Sequence, residues 1–219
     1  MPPQEFYRWT GFALVLAGVL TMLISIGLTP RLATAGASFT EAAASAVFLW
    51  RQGLSALAAA LLLFGSVGLY LRQADRAGLF GAVAFVIAFL GTALLLAWEW
   101  VDVFVLRELA LRAPAALTTL EEGEGLRLYD MGALIPVGTF ALGWIALAVS
   151  TFRAWRSQRR AAVLLLSGFF AIPLLSATFG PVWGGILGNI FLCGGWILLG
   201  LAVRRGAASD ADAVTVIVQ

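Results

Sequence analysis

The chain of 219 residues has no histidine, no lysine and one cysteine. Without histidine there is no His-ligated haem, no His-metal site and no His-based catalytic triad. Without lysine there is no Schiff-base chemistry of the retinal kind. Cys193 has no second cysteine to pair with, so an intramolecular disulfide is excluded. No cofactor and no metal are therefore expected. Charge is also scarce: Asp, Glu and Arg together make 12% of the chain, against roughly a quarter in soluble domains.

What fills the chain instead is apolar. The hydrophobic fraction is 61% and the mean hydropathy is +0.95. A water-soluble globule of this size has too little interior to hide that much apolar surface, so the composition predicts an integral membrane protein. A spanning helix needs about 20 mostly apolar residues, and six stretches qualify: 10–28, 48–71, 79–103, 131–152, 161–179 and 182–203. They are too long and continuous for barrel strands, which alternate over about 10 residues. The expected class is all-α and polytopic, with six transmembrane helices in one domain, 1–205, and a short tail, 206–219. Ala33-Thr34-Ala35 after the first stretch has the form of a signal-peptide cleavage site. The apolar run before it exceeds the usual 7–15 residues of a leader, which favours a retained helix.

Orientation follows from arginine placement. With six spans, Arg8, Arg72, Arg76, Arg153, Arg156, Arg159, Arg160, Arg204 and Arg205 share one side. Arg31, Arg51, Arg107, Arg112 and Arg127 fall on the other, together with Glu41, Glu99, Asp102, Glu108, Glu121, Glu122, Glu124 and Asp130. The arginine-rich side is expected to be cytoplasmic, with both termini there and the chain in a bacterial plasma (inner) membrane. The cluster from Arg153 to Arg160 reads as a topology anchor beside anionic headgroups, or as a docking site for an acidic partner or phospholipid. Membrane lipids are the expected partners. Nucleic acid is not, since no folded soluble module accompanies the arginines.

Between the third and fourth stretches Pro114 can start a short helix, 115–122, with Leu117 and Leu120 on one face and Gly123 and Gly125 breaking it. The loop 30–46 has room for a helical turn. The first part of the tail is expected to be disordered.

Candidate chemistry lies where ionisable groups approach the membrane. Glu99 and Asp102 are three residues apart, on one helix face. Two carboxylates this close resist being charged together, which suits a proton relay or a cation site. The opposing reading is interfacial: Trp98 and Trp100 flank Glu99, and 20 residues from Leu79 to Trp98 make about 30 Å of helix, the thickness of the hydrocarbon. Arg51 lies 24 residues before Asp75 and Glu99 lies 24 after it. If the second and third helices form a hairpin, the two charges stand at equal depth, as a structural ion pair or as a gate or clamp for substrate.

Asn189 is the clearest polar residue deeper in a span, beside the GxxxG step Gly184–Gly188, which lets another helix approach closely. It reads as a packing amide or as a ligand contact. Pro136 and Pro173 interrupt the fourth and fifth stretches, as in ordinary membrane helices or in the broken helices of transporters. Cys193 reads as a small packing residue. Three stretches lie on each side of the long loop, and Gly81 and Gly91 match the spacing of Gly185 and Gly195, which raises the possibility of an inverted repeat.

The run Gly68-Leu69-Tyr70-Leu71-Arg72-Gln73-Ala74-Asp75-Arg76-Ala77-Gly78, followed by Gly91-Thr92-Ala93-Leu94-Leu95, resembles uncharacterised small multi-pass membrane proteins of GC-rich bacteria. That resemblance implies no activity and no site residues. The expected function is non-catalytic: a packing or accessory subunit of a membrane complex, or a homo-oligomer, with Gly184 and Gly188 as helix contacts. The alternative is a small-solute or ion/proton-coupled transporter using Arg51, Glu99, Asp102 and Asn189.

Overall fold

A computed structural model describes residues 3–34, 36, 38–122 and 127–218, with backbone alone at Pro3, 120–122, 127–130 and 206–218. Among the described residues there are helices and no strands. Five helices are long and apolar enough to cross a membrane: Gln4–Leu32, Ala46–Arg112, Met131–Ala154, Arg156–Phe179 and Pro181–Arg205.

The second of these is a folded pair. Helix α1 covers Pro3–Leu23 and continues through a π-helical turn, Ile24–Leu28, into α2, Thr29–Leu32. After α3, Phe39–Ala44, comes α4, Ala46–Val101. A straight helix of its 56 residues would reach about 84 Å. Gly78 breaks it, with φ 57 and ψ −159. Tyr70 stacks on Phe85 with ring centroids 4.5 Å apart, where 15 residues of unbroken helix would separate them by about 22 Å. The chain therefore reverses at Gly78, and α4 has two antiparallel arms, 46–77 and 79–101. Only glycine holds that pair of torsions readily.

The remaining elements are a second π turn, Asp102–Leu106, then α5, Arg107–Arg112, α6, Pro114–Glu122, α7, Arg127–Ala154, α8, Arg159–Phe179, and α9, Pro181–Val218. Pro114 stands at the start of α6, where its missing N–H costs nothing. Leu117 of α6 is buried with Ala43, Phe48, Leu106 and Ala110 in a small core at the arginine-poor end. The expected breakers Gly123 and Gly125, the cleavage-site Ala35 and the side chain of Leu120 lie outside the described residues. The backbone after Arg205 continues α9 as helix to Val218.

The bundle is held by backbone-to-backbone approach. A Cβ on Gly11 would lie 2.6 Å from the Gly200 carbonyl oxygen, and one on Gly18 would lie 2.9 Å from that of Cys193, so α1 lies directly on α9. Gly91 meets the backbone of Phe140 and Gly143 that of Ala88, joining the second arm of α4 to α7. Gly168, Gly184, Gly188 and Gly195 seat α8 against α9. Between these crossings Leu14, Leu69, Trp144, Leu147, Leu165, Trp196 and Leu199 are fully buried. The outward faces carry Leu79, Leu134, Leu142, Phe170 and Leu174, all exposed.

The hairpin torsion gives a clean test. Gly78 has open space around its missing Cβ, so Gly78→Ala is opposed by torsion alone. It is expected to lower unfolding stability by about 1–3 kcal/mol. Gly53→Ala, in the same helix and equally unobstructed, is expected to be neutral or slightly stabilising. Thermal unfolding of the purified protein checks both; equal effects would contradict the hairpin.

Candidate functional site

The two π-helical turns lie at the arginine-poor end, and each carries a polar side chain that pairs across helices. A π turn inserts one extra residue, which rotates the side chains that follow it around the helix. Ser25 lies in the first, and its Oγ accepts a hydrogen bond from Asn189 Nδ2 of α9 at 2.9 Å. Asp102 opens the second; its Oδ2 accepts from Gln52 Nε2 on the first arm of α4 at 2.5 Å. Gln52 and Asp102 are both buried. Arg51 donates from Nη1 to Gln52 Oε1, so arginine, amide and carboxylate form a chain.

The four sequence-predicted residues divide into two groups. Arg51 and Asp102 are joined through Gln52 at the rim. Glu99 Oε2 is buried with no hydrogen-bond partner. Glu99 belongs instead with Asn189, in a cleft of about 390 Å³ between the helices. Thr21, Ser55, Pro173 and Trp196 also line it.

The cleft has a polar level and an apolar floor. Asn189 is eight residues past Pro181, about 12 Å along α9. At that level Thr21, Ser55 and Glu99 contribute the other polar groups. Trp196 lies seven residues further along α9, about 10 Å deeper, with Leu62, Phe140 and Phe169 around it. Its ring meets Trp144 edge-on with centroids 5.5 Å apart. Trp144 Nε1 donates to Thr92 Oγ1 at 3.0 Å, whereas Trp196 Nε1 is buried without a partner. Pro173 cannot donate to the carbonyl of Phe169 one turn earlier, and both residues line the cleft.

The glycine step has a different outcome from the polar residues. A Cβ on Gly188 would lie 2.7 Å from Ile172 backbone, and one on Gly184 would strike the backbone of Leu175 and Ser176. Both glycines face α8 of the same chain. Cys193 is fully buried, its carbonyl against Gly18. No group of three or more potential metal ligands occurs among the described residues.

Sequence reasoning missed Gln52, Ser25 and Trp196. Gln52 adjoins Arg51, and its apolar surroundings in the sequence were the only available signal. Ser25 and Trp196 look like ordinary members of an apolar run, and nothing in their spacing announces a π turn or a cleft.

The Gln52–Asp102 bond can be measured. Gln52→Leu leaves the buried Asp102 carboxylate short of a donor and is expected to cost about 1.5–3 kcal/mol of unfolding stability. Adding Asp102→Leu is expected to recover part of that loss. Additive losses in the double variant would show that the two side chains do not interact. In comparisons with known proteins, no family model, no curated protein and no solved structure matches the chain, so its function rests on this geometry.

Proposed function

We propose that this chain is a six-span membrane protein that binds a small aromatic or aliphatic amine in the Glu99–Asn189 cleft and carries it across a bacterial plasma membrane. The reversal at Gly78 supports counting six spans, since each arm of α4 is long enough to cross. The arginine distribution supports placing both termini in the cytoplasm.

The observation that carries the ligand reading is the buried, unpartnered oxygen of Glu99, which lines the cleft at its polar level above the apolar floor. A volume of about 390 Å³ falls in the range of small-molecule sites. A buried carboxylate oxygen without a donor is costly, and a ligand ammonium group would remove that cost. The apolar floor would take the ligand's ring or chain, and Asn189 would orient its polar end. Carriage is supported by irregular helix at the cleft: Pro173 lines it, and Asn189 on its wall bonds Ser25 of the first π turn. By spacing Gly91 answers to Gly195, but Gly91 meets α7 and Gly195 meets α8, so these glycines carry no repeat.

The packing-subunit reading rests on Gly184, Gly188 and the Gly194–Gly195 pair. Gly184, Gly188 and Gly195 contact α8 within the chain, while a Cβ on Gly194 would meet only Leu164 Cδ1, at 3.9 Å.

Equilibrium binding of phenethylammonium to the protein in nanodiscs tests the proposal, with phenethyl alcohol as the uncharged counterpart. The ammonium form is expected to bind at least about tenfold tighter, the worth of one charge-assisted hydrogen bond. Glu99→Gln should abolish that preference and leave the melting temperature nearly unchanged. Uptake of the labelled amine into proteoliposomes tests carriage. Equal binding by wild type and Glu99→Gln would overturn the assignment.

A further inference from the structure

A second pocket, of about 720 Å³, lies at the opposite, arginine-rich end. Three separate elements build it. The bend of α4 supplies Arg72, Gln73 and Arg76, the α7–α8 junction supplies Gln158 and Arg160, and α9 supplies Arg205. Asp75 is the acidic residue on its lining. Among the described lining residues, Arg76, Arg160 and Arg205 are exposed guanidinium groups against the one carboxylate of Asp75, and guanidinium forks match phosphate oxygens.

The arginines of this end are not equivalent. Arg153 lies over the Phe80 ring at 5.8 Å, and Arg159 lies over Phe152 at 4.9 Å. Arg159 Nε also donates to the Phe152 carbonyl at 3.3 Å. Arg72 lies over the Tyr7 ring at 5.3 Å. These three are held by the fold and anchor it, while Arg76 and Arg160 are exposed on the pocket wall. Gln73 adds the specific feature. It is 2% exposed, it lines the pocket, and neither its Nε2 nor its Oε1 has a hydrogen-bond partner. A buried amide with donor and acceptor both unmet is unfavourable. An ionised phosphate oxygen can accept from the NH₂ but has no proton to give the carbonyl oxygen. The carbonyl oxygen needs a donor, such as a hydroxyl.

We propose that this pocket binds a phosphate ester that carries a free hydroxyl group, the chemistry of a glycerophosphate. Arg76 and Arg160 take the phosphate; Gln73 takes the hydroxyl with its carbonyl oxygen and a phosphate oxygen with its amide. Leu198, Leu201 and Ala202 on α9 form an apolar wall beside this polar base. The same chemistry is offered by a phosphatidylglycerol headgroup and by free glycerol phosphate.

The test uses the full chain in phosphatidylcholine nanodiscs and reads the melting temperature. Three probes are titrated: glycerol phosphate, inorganic phosphate and sulfate. A parallel set of nanodiscs contains phosphatidylglycerol. Stabilisation by glycerol phosphate, at least about tenfold more potent than by inorganic phosphate, supports the proposal and assigns a soluble ligand. Stabilisation by phosphatidylglycerol nanodiscs alone supports it and assigns a lipid. The double variant Arg76→Gln/Arg160→Gln, altered only at exposed positions, should lose either response. Gln73→Leu should keep the response to phosphate but lose the preference for the hydroxyl-bearing ester. If Gln73→Leu fails to fold, Gln73→Glu serves: its added negative charge should weaken both esters. Three results would overturn the proposal: no response to any probe, equal response to sulfate and glycerol phosphate, or an undiminished response in the arginine double variant.

Discussion

The structure depends on how closely its helices touch. At Gly11, Gly91, Gly143, Gly168, Gly184 and Gly188 the neighbouring backbone lies where a side chain would begin. Between apolar helices in a bilayer there is little hydrophobic force to draw them together, so close van der Waals approach has to supply the attraction. Each such contact is small, but many act together along the length of a helix. These crossings fix the positions of α1, α4, α7, α8 and α9, and every polar pairing described above occurs at a distance that they set.

Polar groups then fall into three layers. In the middle, Trp144 and Thr92 satisfy each other and the aromatic cluster fills the space. At the arginine-rich end, rings beneath Arg72, Arg153 and Arg159 hold the guanidinium groups. At the arginine-poor end the two π turns redirect Ser25 and Asp102 toward other helices. Glu99 remains there with a buried oxygen unmet, beside a cleft. A chain designed only to pack would place an apolar residue at such a position, because an unsatisfied buried acceptor opposes folding. That contrast is the reason for reading the cleft as a binding site.

Much of the helical plan was legible in the sequence, because apolar runs of 20 or so residues have few other uses. Counting from Asp75 puts Arg51 and Glu99 at one level, but the chain turns at Gly78, 27 residues from Arg51 and 21 from Glu99, so Glu99 lies roughly 9 Å nearer the turn. What could not be counted was rotation. A π turn shifts the phase of everything after it, and no residue type marks one, so Gln52 and Ser25 stayed hidden as partners of Asp102 and Asn189. The Gly184–Gly188 step was legible as a close contact but not in its destination. A GxxxG face looks the same whether it meets the next helix of its own chain or another protein.

The central claim is that the Glu99–Asn189 cleft is open to a solute. Cysteine accessibility at Ser55, on its wall, tests this most directly, in a Cys193→Ala background that removes the native thiol. A small methanethiosulfonate reagent is expected to label Ser55→Cys in the folded protein, and phenethylammonium should slow that labelling. A thiol that stays unreactive until the protein unfolds, or one labelled at the same rate with and without the amine, would contradict the account.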